Sequence, residues 1–317
     1  MIIKLYKSNI TIGIILPPII AIILCLPILI YEQTAIDYNF TWQKKAFETI
    51  TNTRILDFIL TLFILILNST TIVKSFNQTS LFSKTTYLPA IIYLIFLSYF
   101  QNIHFSPILI VHFLFILLIN QVLSLNKSDS AIHISFKSGL ILGLISCFGL
   151  YYSAFIFMIL IPMILIRTIN IRELIIVLLG LLIPLVYFFS IHYIFIDFPL
   201  DFGSISIINN TQYQLLDYVK ILTLTLLIIL GFKMVIVFNK HNSLLAKKQI
   251  LILVISSIAT MSLTIRLYLG YNLIDTIFII PLIYIISIGS TSSKNDTLIS
   301  FLLSITLIIN IVSLFFK

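Results

Sequence analysis

Residues Ile10–Ile30 have the sequence ITIGIILPPIIAIILCLPILI, which contains twenty-one residues and no charged side chain. An α-helix of that length spans about 30 Å, the thickness of the hydrocarbon core of a bilayer. Lys4 and Lys7 precede this stretch, whereas Glu32 and Asp37 follow it, and no small-residue cleavage site comes next. We therefore predict a first transmembrane helix that is retained in the protein and enters the membrane from the cytoplasm.

Ten further apolar stretches follow the first. The whole chain is 60% hydrophobic and 9% charged, with a mean hydropathy of +1.16, whereas a soluble domain has about 25% charged residues. Because so apolar a chain needs lipid as its solvent, the sequence predicts an all-α, polytopic transmembrane bundle of about eleven helices. Residues 1–317 would form a single integral membrane domain. The later spans are expected near Ile55–Phe76, Tyr87–Gln101, Ser106–Leu125, Ser138–Leu150, Ser153–Ile169, Leu174–Ile196, Tyr218–Phe238, Gln249–Tyr268, Leu273–Ser287 and Leu298–Phe316.

The charges of the loops predict the orientation of this bundle. Lys and Arg side chains retained on the cytoplasmic side determine how a membrane protein is inserted. With the N-terminus in the cytoplasm, 13 of the 19 basic residues fall on that side: Lys4, Lys7, Lys74, Lys84, Lys127, Lys137, Arg167, Arg172, Lys233, Lys240, Lys247, Lys248 and Lys294. The opposite side receives 8 of the 11 acidic residues: Glu32, Asp37, Glu48, Asp57, Asp197, Asp201, Asp217 and Asp275. We predict a multi-pass protein of the bacterial inner membrane, with its C-terminus outside.

The net charge of +8 is explained by this topology. The basic residues are spread singly over short loops, without the stripe or aromatic interleaving of a nucleic-acid surface, so no nucleic-acid partner is predicted. No P-loop motif is present, and no His pair has the spacing of two metal ligands on one helix face. We therefore assign no cofactor and no metal, and predict membrane lipids as the first partners.

Two outer loops are long enough to build a site. Tyr31–Arg54 carries Trp42, Lys44, Lys45, Phe47 and Glu48 at roughly helical spacing, which predicts a short amphipathic helix in the first periplasmic loop. Asp197–Asp217 is the second long loop. We expect the working surface to lie in the periplasmic cleft between them.

Polar residues inside the apolar segments are few and mostly neutral. Asp57 lies at the outer start of the second span, and Arg266 and Asp275 are predicted to pair across an outer turn. The neutral groups are expected to form hydrogen bonds between helices: Asn68, His112, Asn120, Gln121, His192 and Asn310. Gly139 and Gly143 form a Gly-x-x-x-Gly step, which predicts a close approach of two helix backbones.

The order of several motifs resembles a family of uncharacterised polytopic inner-membrane proteins of Bacteroidota, known as a domain of unknown function. The matching motifs are Lys84-x-x-Tyr87-Leu88-Pro89-Ala90, Ser106-Pro107-Ile108-Leu109, Gly139-Leu-Ile-Leu-Gly143-Leu, Asn170-Ile-Arg172-Glu173-Leu174, Gly180-Leu-Leu-Ile-Pro184 and Ile280-Pro281-Leu282. Some members carry a beta-carotene monooxygenase label, but the His-containing iron motifs of the carotene-cleaving enzymes are absent from this sequence. The resemblance implies kinship and no activity.

The architecture also resembles membrane glycosyltransferases of the GT-C type, which use lipid-linked donors. In those proteins a first helix is followed by an outer loop with an acidic residue and membrane-surface helices. The resemblance implies a transferase acting on a lipid-linked substrate at the periplasmic face, with Glu32 or Asp37 as the catalytic carboxylate. The residues expected to bind substrate, including the phosphate of a polyprenyl-linked donor, are Lys44, Lys45, Arg54, Asp197, Asp201 and Arg266.

Two other classes of function remain open at this stage. The same loops and glycine-lined helices suit a non-catalytic subunit or scaffold that docks onto another membrane protein of the cell envelope. A transporter is less favoured, because Asn68, Asn120 and His192 are too sparse to line a continuous polar path.

Overall fold

The chain folds as an all-α protein, as predicted. The computed structural model describes residues 10–30, 43, 47, 53–79, 85–100, 103–125, 132–166, 171–195, 215–239, 243–271, 276–292 and 296–315. These ranges contain eleven α-helices and no β-strand, and each helix coincides with one predicted apolar stretch. The helices are α1 (Ile10–Ile30), α2 (Arg54–Gln78), α3 (Leu88–Phe100), α4 (Pro107–Leu123), α5 (Ile132–Phe148), α6 (Ile156–Ile166), α7 (Ile171–Phe195), α8 (Leu215–Asn239), α9 (Leu244–Tyr271), α10 (Ile279–Ser292) and α11 (Asp296–Phe315).

Four helices are long and apolar enough to cross a membrane. The qualifying segments are Gly13–Ile30, Arg54–Gln78, Ile171–Ile194 and Leu244–Ile265. The remaining helices have shorter apolar segments of 10–17 residues in the part of the chain that the structure describes. Large apolar side chains point outward on the long helices, most of all on α7, where Ile194 is 70% exposed.

Two of the short helices form the centre of the bundle. Residues 88–98 of α3 are all buried, and so are residues 279–290 of α10. Both helices are hydrophobic on every side, which is the pattern of a helix surrounded by other helices. The aromatic side chains of Tyr93 and Tyr284 lie fully buried there. These two short helices are therefore enclosed by other helices of the bundle.

Hydrogen bonds between helices define the two ends of the bundle. Asp57, near the start of α2, bonds to the N–H of Phe105 just before α4, and Gln78 at the end of α2 accepts from Asn120 near the end of α4. The helices α2 and α4 therefore run in the same direction, and α3 returns between them. We call the end with Asp57 end A and the end with Gln78 end B.

Other contacts extend these two ends. At end B the Gln249 side chain donates to Leu123 O at 3.1 Å, and Lys248 Nζ donates to Leu165 O at 2.6 Å. The ends of α4 and α6 thus meet the start of α9. At end A the Gln43 amide donates to Phe148 O, at the end of α5. The chain accordingly reverses direction from each helix to the next over α2–α6.

Glycines bring α5 and α7 into close contact. A Cβ atom added to Gly143 would lie 2.6 Å from Leu181 O, and one added to Gly180 would lie 2.6 Å from Phe136 O. A Cβ on Gly139 would collide with Val177 O. The predicted close approach at Gly139 and Gly143 is confirmed, and α7 provides a third glycine from its own side. Gly139 faces Val177 and Gly143 faces Leu181, so the residue numbers rise together and α5 and α7 run parallel.

Candidate functional site at end A

A buried carboxylate lies at the start of α2. The Asp57 side chain is 0% exposed. Its Oδ1 accepts hydrogen bonds from the backbone N–H of Phe105 at 2.8 Å and from the Thr61 hydroxyl at 3.1 Å. Its Oδ2 lies 2.9 Å from Nδ1 of His104. We call Asp57, Thr61, His104 and Phe105 the Asp57 cluster.

Local sequence explains why these groups meet. Pro107 occupies the first turn of α4, and the preceding Ser106 is extended at φ −134° and ψ 154°, because a residue before proline is driven out of the helical region. Phe105 precedes α4, so its N–H has no partner within that helix and can bond to Asp57. Asp57 lies in the first turn of α2, where the helix dipole favours a negative charge.

His104 is partly open to solvent. Its side chain is 13% exposed, and Nδ1 is the ring nitrogen that meets Asp57. A carboxylate only accepts hydrogen bonds, so Nδ1 is the donor in this contact, and in the neutral ring the lone pair lies on Nε2. Within the described residues, Nε2 makes no hydrogen bond. The neutral ring therefore presents an acceptor nitrogen at end A.

The surroundings of the cluster include a cation and an aromatic contact. Arg54 begins α2 three residues before Asp57, and its side chain is exposed. The ring of Phe47 lies 5.5 Å from the ring of Phe105. Gln43 and Phe47 are each helical and buried. Both residues belong to the segment for which an amphipathic helix is predicted, and the rest of that segment lies outside the described residues.

A second polar cluster lies deep between α2, α3 and α4. The Asn68 amide donates to the Tyr93 hydroxyl and to Leu109 O, both at 3.0 Å. The Tyr93 hydroxyl lies 3.3 Å from Nδ1 of His112, and Nε2 of His112 lies 3.1 Å from the Thr276 hydroxyl. We call Asn68, Tyr93, His112 and Thr276 the central cluster. All four side chains are buried, and Asn68 Oδ1 has no hydrogen-bond partner among the described residues.

Several predicted bonds between helices are confirmed. Asn68 and His112 join helices as described, and the amide of Asn120 bonds to the Gln78 side chain at 3.3 Å. Asn310 on α11 donates to Ile95 O and to the Ser98 hydroxyl of α3, both at 2.8 Å. These contacts use neutral groups, which fits the role of holding helices together.

The residues predicted as a site are only partly described. Arg54 is exposed at end A, next to the Asp57 cluster. The backbone of Arg266 belongs to α9, but the structure does not describe its side chain. Asp275 lies outside the described residues. The other predicted catalytic and binding residues lie outside them altogether: Glu32, Asp37, Lys44, Lys45, Asp197 and Asp201. Among the described residues, no group of three or more His, Cys, Asp or Glu side chains converges.

The pair formed by Asp57 and His104 was missed by the sequence reasoning. From the sequence, Asp57 was predicted at the outer start of a span, whereas His104 was assigned neither a side nor a role. The two residues are 47 positions apart, and only the packing of α2 against α4 brings them together.

Comparison with known proteins gives no relative. No family model, no curated protein and no solved structure matches the chain.

Proposed function

We propose that this chain is a multi-pass protein of the bacterial inner membrane, with end A outside and end B in the cytoplasm. Four helices of sufficient length and apolarity support this proposal. The basic side chains Lys137, Arg172, Lys247 and Lys248 lie near the helix ends that belong to end B. Positive charge concentrated at one end is what the orientation rule requires of a cytoplasmic face.

At end A the protein transfers a group from a lipid-linked donor. The single observation that supports this function is the Asp57 cluster, with the exposed Arg54 three residues before Asp57 on the same helix. A fixed carboxylate and imidazole supply acid and base groups, and an arginine stabilises a departing phosphate. A lipid-linked phosphate would present its leaving group at the level of the headgroups, where a helix such as α2 begins.

Residues of the outer loops would complete this site. Glu32 and Asp37 remain the proposed loop carboxylates, because they follow the first helix at the level of lipid headgroups. Lys44, Lys45 and Arg266 remain proposed contacts for the donor phosphate. Asp197 and Asp201 are proposed to meet the acceptor from the second loop.

The test is binding of farnesyl phosphate, a short polyprenyl phosphate, to the purified full-length protein. Native mass spectrometry in detergent would measure the bound fraction for the natural protein, for Arg54→Ala and for the control Lys247→Ala, an exposed cation at end B. Loss of the arginine should weaken binding about tenfold, which corresponds to about 1.4 kcal/mol. Equal binding by both variants, or none by the natural protein, would contradict the proposal.

A second candidate function is a non-catalytic subunit of an envelope complex. Its supporting observation is α7, which packs chiefly on α5 and leaves apolar side chains exposed along its length. Such a face suits another membrane protein as well as lipid. Purification in mild detergent separates the two functions: a stoichiometric partner protein favours the subunit, whereas a bound polyprenyl lipid favours the transferase.

A further inference from the structure

We propose that His104 is the catalytic base of end A and that Asp57 positions it. The proposal rests on the transferase function and names the residue that receives the proton of the acceptor. The acceptor class is a hydroxyl compound, since a neutral imidazole removes a proton from a hydroxyl as that oxygen attacks.

The geometry fixes the orientation of the carboxylate first. Asp57 Oδ1 is held from two sides, by the backbone N–H of Phe105 and by the Thr61 hydroxyl. Oδ2 is then directed to Nδ1 of His104. Because the Phe105 N–H belongs to the main chain, neither side-chain rotation nor a change of protonation removes this constraint. The imidazole is thereby kept in one tautomer, with Nε2 as the basic atom.

The other described histidines lack this combination. His112 is 0% exposed, and both of its ring nitrogens face hydroxyl groups. His192 is buried and stacks on Phe188. His133 is exposed, but it lies at the start of α5, at end B. Among the described residues, His104 is the partly exposed histidine at end A whose Nδ1 is held by a carboxylate.

The reaction step balances as follows. The acceptor oxygen forms a bond to the transferred carbon of the donor, and the bond between that carbon and the phosphate oxygen breaks. The electron pair of the broken bond leaves with the phosphate, next to Arg54. The acceptor proton moves to His104 Nε2, and Asp57 stabilises the resulting imidazolium. Release of that proton to water returns the site to its starting state.

The reactivity of His104 Nε2 can be measured without an activity assay. Diethyl pyrocarbonate acylates an unprotonated ring nitrogen, and peptide mass spectrometry resolves the rate at each histidine of the full-length protein in liposomes. His104 should react at least as fast as the more exposed control His133, with His112 unreactive. Farnesyl phosphate should slow His104 about tenfold and leave His133 unchanged, since a tenfold effect needs about 1.4 kcal/mol of binding.

Asp57→Asn sharpens the test. The Phe105 N–H requires an acceptor, so it should hold the amide oxygen and turn the amide N–H₂ toward Nδ1 of His104. The ring proton would then move to Nε2, the reactive lone pair would be lost, and acylation of His104 should fall about tenfold or more across the pH range. Thr70→Val, at an exposed residue of α2 outside the Asp57 cluster, is the control and should change the rate less than twofold.

The outcomes are separable. An unreactive His104 in the natural protein, or an unchanged rate and pH profile in Asp57→Asn, would overturn the assignment. Should Asp57→Asn not fold, the comparison of His104 with His133 in the natural protein decides alone. Binding of farnesyl phosphate without protection of His104 would reject His104 as the base while leaving the transferase function standing. A reactive His104 without any lipid binding would reject the transferase instead.

Discussion

The Asp57 cluster and the central cluster both connect α2 to α4 or to the residues just before it, yet they differ in charge and in burial. Each contains a histidine. In the Asp57 cluster a carboxylate holds one ring nitrogen, and the ring is 13% exposed. In the central cluster the ring is fully buried and both nitrogens face neutral hydroxyls. The comparison separates a histidine enclosed by neutral partners from a partly exposed one that is held by a carboxylate.

The difference follows from where polar groups are tolerated in an apolar bundle. A buried polar group costs free energy unless it is hydrogen-bonded, and a charge costs more. The central cluster therefore contains only neutral partners, whereas the carboxylate lies at the end of the bundle, one turn from exposed Arg54. On this account, variants of the central cluster should change stability, and variants of the Asp57 cluster should change chemistry.

His112→Ala should have the largest effect on stability. The change removes a buried ring and leaves the hydroxyls of Tyr93 and Thr276 without that partner. With about 1–3 kcal/mol for each buried hydroxyl that loses a hydrogen bond, we expect a loss of about 3 kcal/mol. Thermal unfolding in detergent measures it, and His133→Ala is the control, expected within about 0.5 kcal/mol of the natural protein. Identical melting curves for the two variants would place His112 outside the stabilising network.

Tyr93→Phe should have an intermediate effect. The hydroxyl of Tyr93 connects Asn68 to His112, so its removal deletes two bonds while the ring remains. We expect a loss of about 1–2 kcal/mol. Tyr187→Phe provides the matched control, because Tyr187 is 65% exposed on α7. If both substitutions shift the melting temperature equally, the network contributes nothing measurable.

His104→Ala should have the smallest effect on stability. The removed ring is partly exposed, so water can enter and replace its bond to Asp57. We expect the free energy of unfolding to fall by about 1 kcal/mol or less. The same variant should lose the proposed transferase function, measured as failure to complement a deletion strain. A loss of stability as large as that of His112→Ala would mean that both clusters serve packing, and the distinction between them would fail.

Much of the fold could be predicted from the sequence because it depends on local patterns. Uncharged apolar runs such as Ile10–Ile30 predicted the helices one by one, and the spacing of Gly139 and Gly143 predicted a close helix contact. The glycine on the other helix, Gly180, was not assigned to that contact. Its role depends on which helix lies opposite, and spacing along one helix does not reveal this.

The candidate site was less predictable, because it too depends on which helices lie next to each other. The sequence directed attention to Glu32 and Asp37, because carboxylates next to a first helix fit a known architecture. The contact between Asp57 and His104 requires the register of α2 against α4 and the extended backbone before Pro107. Neither is encoded in the spacing of polar residues. The outer position of Asp57 stays a prediction, and its contact with His104 was not predicted.

The most direct test of the account is the placement of ends A and B on opposite sides of a membrane. Thr53 and Ser243 are exposed at end A and end B, respectively, and each can be replaced by cysteine in a chain whose free thiols Cys25 and Cys147 are changed to alanine. A membrane-impermeant maleimide is applied to right-side-out bacterial vesicles. We predict labelling of Thr53→Cys at once and of Ser243→Cys only after the vesicles are opened. Labelling of both positions in sealed vesicles, or of Ser243→Cys alone, would contradict the account.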